Sequence, residues 1–271
     1  MTRPLIQHLS MVSVPLEVYA DEELLGSATG FIVASGDRLY LVTNWHVLAG
    51  KDQMTGESLG KKNAIPTKVR ITTVRSEGNL VKQHVEEVSI TCQKDPDDES
   101  ECLWKMHPTY GAKVDVVALP LPENFQYAPE PLDLDKPHHA NHPELIFDIS
   151  VPDRVVIIGY PRGIDGGTPW AGVWMQGNIA SEFGIGHGGL PKFLVDSRTR
   201  TGMSGSPVYF YPRGQRAYFT DGSYDYLNPD ASIVIGVYSG RTDSESDLGT
   251  VWRISLVREI LESGVPGLPY L

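Results

Sequence analysis

Short apolar runs alternate with turn residues along most of this chain. In the first half, residues 11–19, 28–34, 39–43, 68–74, 85–92 and 114–119 read as strands of β-branched and apolar residues. Gly26, Gly36-Asp37, Gly50 and Gly78-Asn79 punctuate them. Residues 121–143 are rich in proline and polar side chains and read as a connection. A second set of strands follows at 154–159, 172–179, 193–197, 207–211, 217–220, 233–239 and 249–254. The pattern predicts an all-β protein of two packed six-stranded antiparallel β-barrels, because closure removes exposed strand edges. The expected boundaries are 1–120 for the first barrel, 121–152 for the linker and 153–254 for the second barrel. Residues 255–271 read as a helix and tail: Ser255 caps, Leu256, Val257, Ile260 and Leu261 make an apolar stripe, and Gly264 ends it.

Composition sharpens this picture in a few places. The 27 glycines and 20 prolines suit many turns, and 271 residues suffice for one large or two small domains. A formal net charge of −11 argues against non-specific nucleic-acid binding, which needs a basic face. No apolar run approaches the length of a membrane span. The first ten residues lack the apolar core of a signal peptide, so the expected location is cytoplasmic. Cys92 and Cys102 flank the acidic run 95–99; a bridge is geometrically possible, but reduced thiols are expected in that compartment.

Candidate chemistry gathers at three places. Gly202-Met203-Ser204-Gly205-Ser206-Pro207 sets a serine between glycines in a sharp turn. A hydroxyl nucleophile needs such exposure, and it needs backbone N–H groups aimed at a developing oxyanion. Leu41-Val42-Thr43-Asn44-Trp45-His46 ends an apolar run in a histidine, which predicts an imidazole at the end of a buried strand. Asp115 is embedded in the apolar stretch Val114–Leu119, where an unpaired carboxylate is costly and a histidine N–H is a natural partner. Other readings fail on order or setting. No histidine follows Ser204, which excludes an α/β-hydrolase order, and position 206 is serine rather than glycine. A cysteine nucleophile at Cys92 or Cys102 would sit among carboxylates that disfavour a thiolate. His138, His139 and His142 lie between Pro137 and Pro143 and read as solvated linker rather than metal ligands.

The ordered set His46, Asp115, Ser204 resembles the trypsin/chymotrypsin-like serine proteases, in the bacterial trypsin-like form. Three further segments are similar to that family: Ser27–Val33, Val156–Pro161 and Ile235–Gly240. The resemblance implies a chymotrypsin-like fold and a serine endopeptidase. It makes Ser204 the nucleophile, His46 the general base and acid, and Asp115 the group that orients His46. The backbone N–H groups of Gly202 and Ser204 would form the oxyanion hole. Residues Arg198, Thr199, Tyr238, Ser239 and Gly240 would bind substrate. In the family the residue six before the nucleophile lies at the base of the primary specificity pocket, and that position is Arg198. A buried guanidinium there would favour acidic or small polar residues and oppose cleavage after lysine or arginine. Alternatively Arg198 and Arg200 face solvent or pair with Asp196, since strand direction alternates. Tyr238 falls where glutamate-specific relatives carry histidine. Met203 replaces the acidic residue that pairs with a new N-terminus in cleavage-activated members, so no such switch is expected. No cofactor or metal is implied, and the expected partner is a protein or peptide substrate. The Tyr211–Ala231 stretch offers Tyr218, Phe219, Tyr224 and Tyr226 either as substrate contacts or as covering aromatics of a hairpin. The reading from another class is a non-catalytic protein-binding module on a protease fold.

Overall fold

The computed structural model describes residues 6–60, 63–77, 80–90, 102–127, 129, 131–134, 146–212, 216–226, 232–243 and 245–268. The acidic run at 95–99, Cys92 and the histidines at 138, 139 and 142 lie outside the described residues. The first unit comprises α1 (His8–Val12), β1 (Ser13–Ala20), β2 (Glu23–Ser35), β3 (Arg38–Thr43), α2 (Trp45–Ala49), β4 (Lys68–Glu77), β5 (Leu80–Ser89), β6 (Cys102–Met106) and β7 (Val117–Pro120). The second comprises β8 (Arg154–Gly159), β9 (Val173–Ile179), β10 (Lys192–Asp196), β11 (Pro207–Phe210), β12 (Arg216–Tyr218), β13 (Tyr224–Tyr226), β14 (Ile233–Arg241) and β15 (Leu248–Arg253). The chain closes with α3 (Ile254–Ser263) and β16 (Val265–Gly267).

The all-β architecture is as expected, and β8, β9, β10, β11, β14 and β15 form a closed six-stranded barrel. The first unit differs in strand count. It is an eight-stranded antiparallel sheet in the order β16-β6-β7-β3-β2-β1-β4-β5. Two additions account for this. The alternation of buried and less buried residues in Cys102–Met106 makes a strand that the sequence pattern had not revealed. The tail at 265–267 then returns from the second unit to pair with it.

Local boundaries also move. Strand β3 stops at Thr43, and Asn44 begins α2, so His46 stands on a single helical turn rather than at a strand end. Strand β7 begins at Val117, which leaves Asp115 in the segment just before it. Arg253 rather than Ser255 is the N-cap of α3, because the helix starts at Ile254, while Gly264 ends it as expected. Cys102 is disulfide-bonded, so the expectation of reduced thiols is not met there. In the 211–231 region, β12 pairs with β13 as a two-stranded ribbon; Tyr218, Tyr224 and Tyr226 are exposed and Phe219 is buried against Phe147.

Apolar packing explains why the two units meet where they do. One cluster fills the first unit around Leu16, Ile32, Trp45 and Trp104. Another fills the barrel around Ile157, Phe193, Val208 and Tyr238. A third joins Phe31, Val42, Val114 and Val116 of the first unit to Ile158, Tyr209, Trp252 and Ile260 of the second. Burial of this shared cluster sets the relative position of the two sheets, since interiors pack densely and shift little. His46, Asp115 and Ser204 all lie along this junction.

Candidate active site

His46 is held by the residue it must face. Its Nδ1 lies 2.7 Å from Asp115 Oδ2, and its backbone N–H donates to Asp115 Oδ1 at 2.8 Å. The Asp115 side chain is 2% exposed and that of His46 is 18% exposed, so the carboxylate is buried and the imidazole reaches the surface. A third donor comes from the other unit: the Ser239 hydroxyl bonds Asp115 Oδ2. Three donors stabilise a charge whose burial would otherwise be costly. Asn44 completes the brace by donating from Nδ2 to the Asp115 carbonyl at 2.6 Å. Burial disfavours the charged form of His46; the Asp115 carboxylate, by charge and hydrogen bond, and Asp52 by charge more than offset this, so the imidazole pKa lies above its ordinary value.

Ser204 is held by backbone. Gly202 has φ +92, and a Cβ there would lie 2.5 Å from the Tyr160 carbonyl oxygen. Gly205 has φ +86, and a Cβ would lie 2.0 Å from the Thr29 carbonyl oxygen. Only glycine fits both places, because a side chain is strained at these angles and would also collide. Among the described residues, neither the Gly202 N–H nor the Ser204 N–H has an acceptor. Met203 is fully buried in the barrel core, so that position carries no charge.

Thr29 ties this turn to the first unit and was not singled out by the sequence. Its backbone N–H donates to the Ser204 carbonyl at 2.9 Å. Its hydroxyl donates to the Gly202 carbonyl at 2.8 Å and accepts from the Tyr160 N–H at 3.0 Å. Thr43 in turn donates to the Thr29 carbonyl at 2.8 Å. In the sequence it is only a threonine beside the apolar run Gly30-Phe31-Ile32-Val33; the structure buries it fully, and a buried hydroxyl needs partners.

Ser239 links the two halves. The β14–β15 register shifts between Tyr238 and Gly240, and such a bulge re-aims a side chain. Its hydroxyl goes to Asp115, and its carbonyl accepts from the Ser204 hydroxyl at 3.2 Å. No hydrogen bond joins Ser204 to His46 among the described residues; both side chains line one cleft of about 270 Å³ with Gly202 and Ala28.

The proposed specificity residues are dispersed. Thr199 and Tyr238 are buried, with their hydroxyls hydrogen-bonded to each other. Gly240 lines a second cleft beside His46. Arg198 does not provide a buried guanidinium: its side chain is 83% exposed and lies 3.8 Å from Asp247. Arg200 folds back onto the carbonyls of Arg198 and Thr199. The extended segment after β10 explains this, since exposed residues at 196, 198 and 200 alternate with buried Ser197 and Thr199. Among the described residues no group of three or more metal-ligating side chains occurs, and no helix is long and apolar enough to cross a membrane.

Comparison with known proteins places this arrangement in a family. The trypsin-like peptidase domain matches residues 28–215, so the chain belongs to the trypsin-like peptidases. Among solved structures it is similar to the protease Anisep from Arthrobacter nicotinovorans, at 10% identity and TM-score 0.51, covering 94% of this chain and 95% of that one. It is likewise similar to the thermostable serine protease AL20 from an extremophilic microorganism, at 10% identity and TM-score 0.50, covering 95% and 98%. At such identities the likeness concerns the fold. No curated protein sequence matches this chain.

Proposed function

We propose that this protein is a serine endopeptidase that works through an acyl-enzyme. The observation that carries the reading is the 2.7 Å pairing of His46 with buried Asp115 in a cleft shared with Ser204 on its glycine turn. Ser204 leaves its bond to Ser239 by a change of rotamer and presents its hydroxyl to His46 Nε2. Its Oγ attacks the peptide carbonyl as His46 takes the proton. The oxyanion is received by the Gly202 and Ser204 N–H groups, which have no other acceptor among the described residues. Collapse breaks the C–N bond, and the leaving amine takes the proton from His46. Water then attacks the ester by the same route, returning Ser204 and releasing the acid. Asp115 orients the ring and stabilises the imidazolium throughout.

The substrate main chain pairs with Ser239–Arg241. Strand β11 pairs with β14 as far as Val237, and the Tyr238 N–H and carbonyl are bonded to Ser206 and Gly205, so the open edge begins at Ser239. Thr199 and Tyr238 carry hydroxyls rather than a carboxylate, and these are bonded to each other, so the pair offers no charge partner to lysine or arginine at the cleaved position. Buried, apolar Met203 has no group with which to accept a new N-terminal ammonium, so activity does not depend on N-terminal trimming.

A fluorophosphonate probe tests the reading. Labelling of the wild type and its loss in Ser204→Ala is expected, together with peptide hydrolysis by the wild type alone. An unlabelled wild type that still binds peptides would instead favour the binding module, a reading consistent with the Ser204 hydroxyl resting on Ser239.

A further inference from the structure

We infer that the larger cleft beside His46 selects an acidic peptide segment, held by Lys113, Lys192 and Arg241. The inference rests on the peptidase reading, because it assigns a substrate class to that site. This cleft of about 690 Å³ contains Ser239, Gly240 and Arg241, the open edge to which the acyl half of a substrate would pair. It is separate from the cleft on the Gly202 and Ser204 side, and the two meet at His46.

The titratable groups that line it are His46, Asp52, Lys113, Asp115, His187, Lys192 and Arg241. Asp115 is engaged by His46 and Ser239. Among the described residues of the lining, Asp52 is therefore the one carboxylate left to oppose three permanent cations, and one of its oxygens is taken by the N–H groups of Met54 and Thr55. None of the three cations has an ion pair among the described residues. Lys192 lies over the Trp252 ring, with Nζ 5.0 Å from the centroid, which holds its ammonium at the cleft wall. Asp243 and Asp247, two carboxylates close to Arg241 in sequence, are occupied elsewhere: Asp243 accepts from the N–H groups of Glu245 and Ser246, and Asp247 faces Arg198.

The surroundings make this local charge selective. The chain as a whole carries a formal charge of −11, so an acidic ligand is repelled from most of the surface and attracted here. A basic segment would meet the three cations with one carboxylate to compensate. Lys113 comes from the segment before β7, Lys192 from β10 and Arg241 from β14, so separate elements place their cations around one path. That placement suits a run of acidic side chains better than a single one.

The test separates binding from catalysis. Two fluorescein-labelled peptide pools are prepared, identical except for three consecutive glutamates or three consecutive lysines beside degenerate positions. Their affinities for the Ser204→Ala protein are read by anisotropy. The glutamate pool should bind roughly ten-fold more tightly at low salt, with the difference shrinking as salt rises. Lys113→Glu, Lys192→Glu and Arg241→Glu combined should reverse the preference, with the thermal melt showing that the protein is folded. Should that triple variant fail to fold, the three single substitutions to glutamine should each reduce the preference. Equal binding of the two pools, or a preference untouched by these substitutions, would overturn the inference. Binding of the glutamate pool by a protein whose wild type neither labels nor cleaves would keep it and overturn the peptidase reading. Cleavage without charge preference would do the reverse.

Discussion

His46 and Asp115 are held on the eight-stranded sheet by side-chain hydrogen bonds, whereas Ser204 is held beside the barrel by the path of its backbone. On the first side, three donors converge on the Asp115 carboxylate, and one of them is the imidazole itself. On the second, two positive-φ glycines and the Thr29 contacts shape a turn that leaves two N–H groups open. The difference fits what the proposed mechanism asks of each group. An imidazole that gains and loses a proton needs a charge partner that tracks its state. An oxyanion hole needs dipoles that do not move as charge develops. Damage to the first half should therefore alter the pH dependence, and damage to the second should lower the rate at every pH.

Ser204→Ala carries the largest expected effect, a loss of hydrolysis on the order of 10⁶-fold with an unchanged melting curve. Single-turnover assays on a peptide library measure it; a residual rate near that of wild type would remove Ser204 from the nucleophile's role. Asp115→Asn should follow, at about 10⁴-fold, because an amide presents the ring with the wrong partner and tautomer. A variant as active as the parent would show that the buried pair is structural.

Gly202→Ala comes next, at about 10²- to 10³-fold, since displacing that peptide misplaces an oxyanion donor. Thr29→Val is the sharper probe of the same half. It strips the Gly202 carbonyl and the Tyr160 N–H of a buried partner, at a cost of about 1–3 kcal/mol in stability. Its rate should fall with an unmoved pH profile. A shifted profile would contradict the division between the two halves.

The smallest effect belongs to Asp52→Asn. His46 must be neutral to accept a proton, so activity rises with pH as the imidazolium deprotonates. The pKa of His46 is raised, and Asp52 contributes to that by its negative charge. Removing the charge lowers the pKa and moves the acidic limb of kcat/KM to lower pH. A limb that moves to higher pH, or stays in place, would mean that Asp52 does not act on the base.

Much of the fold could be read from local pattern. Strand β8 was expected at 154–159 and is found there, and β3, β10 and β11 shift by a residue at most at either end. Strand β6 was not legible because five residues beside an acidic run carry a weak period, and one of its two partners, β16, is distant in sequence. The candidate triad was legible because each member has a local context that is costly without a partner. Thr29 and the Ser239 bulge were not, since their roles exist only across the junction between the units.

The cations of the larger cleft show the same limit from the other direction. Arg198 has the family's spacing from Ser204, but the alternation of the segment after β10 sends it to solvent. Lys113, Lys192 and Arg241 have no pattern in one dimension, and they meet because three separate elements pack around one groove.

By itself, the sequence determined the β-rich class, the turn around Ser204 and the identity of three residues with matching chemistry. Those properties depend on short-range rules: side-chain period, glycine's backbone freedom and the cost of an unpaired buried charge. Only the tertiary structure decided which hydroxyl completes the set of donors to Asp115, which strand grips the Ser204 turn and which cations line the larger cleft. These depend on register and on the packing of two sheets against a shared apolar cluster, where contacting residues such as Thr29 and Gly202 lie 173 positions apart.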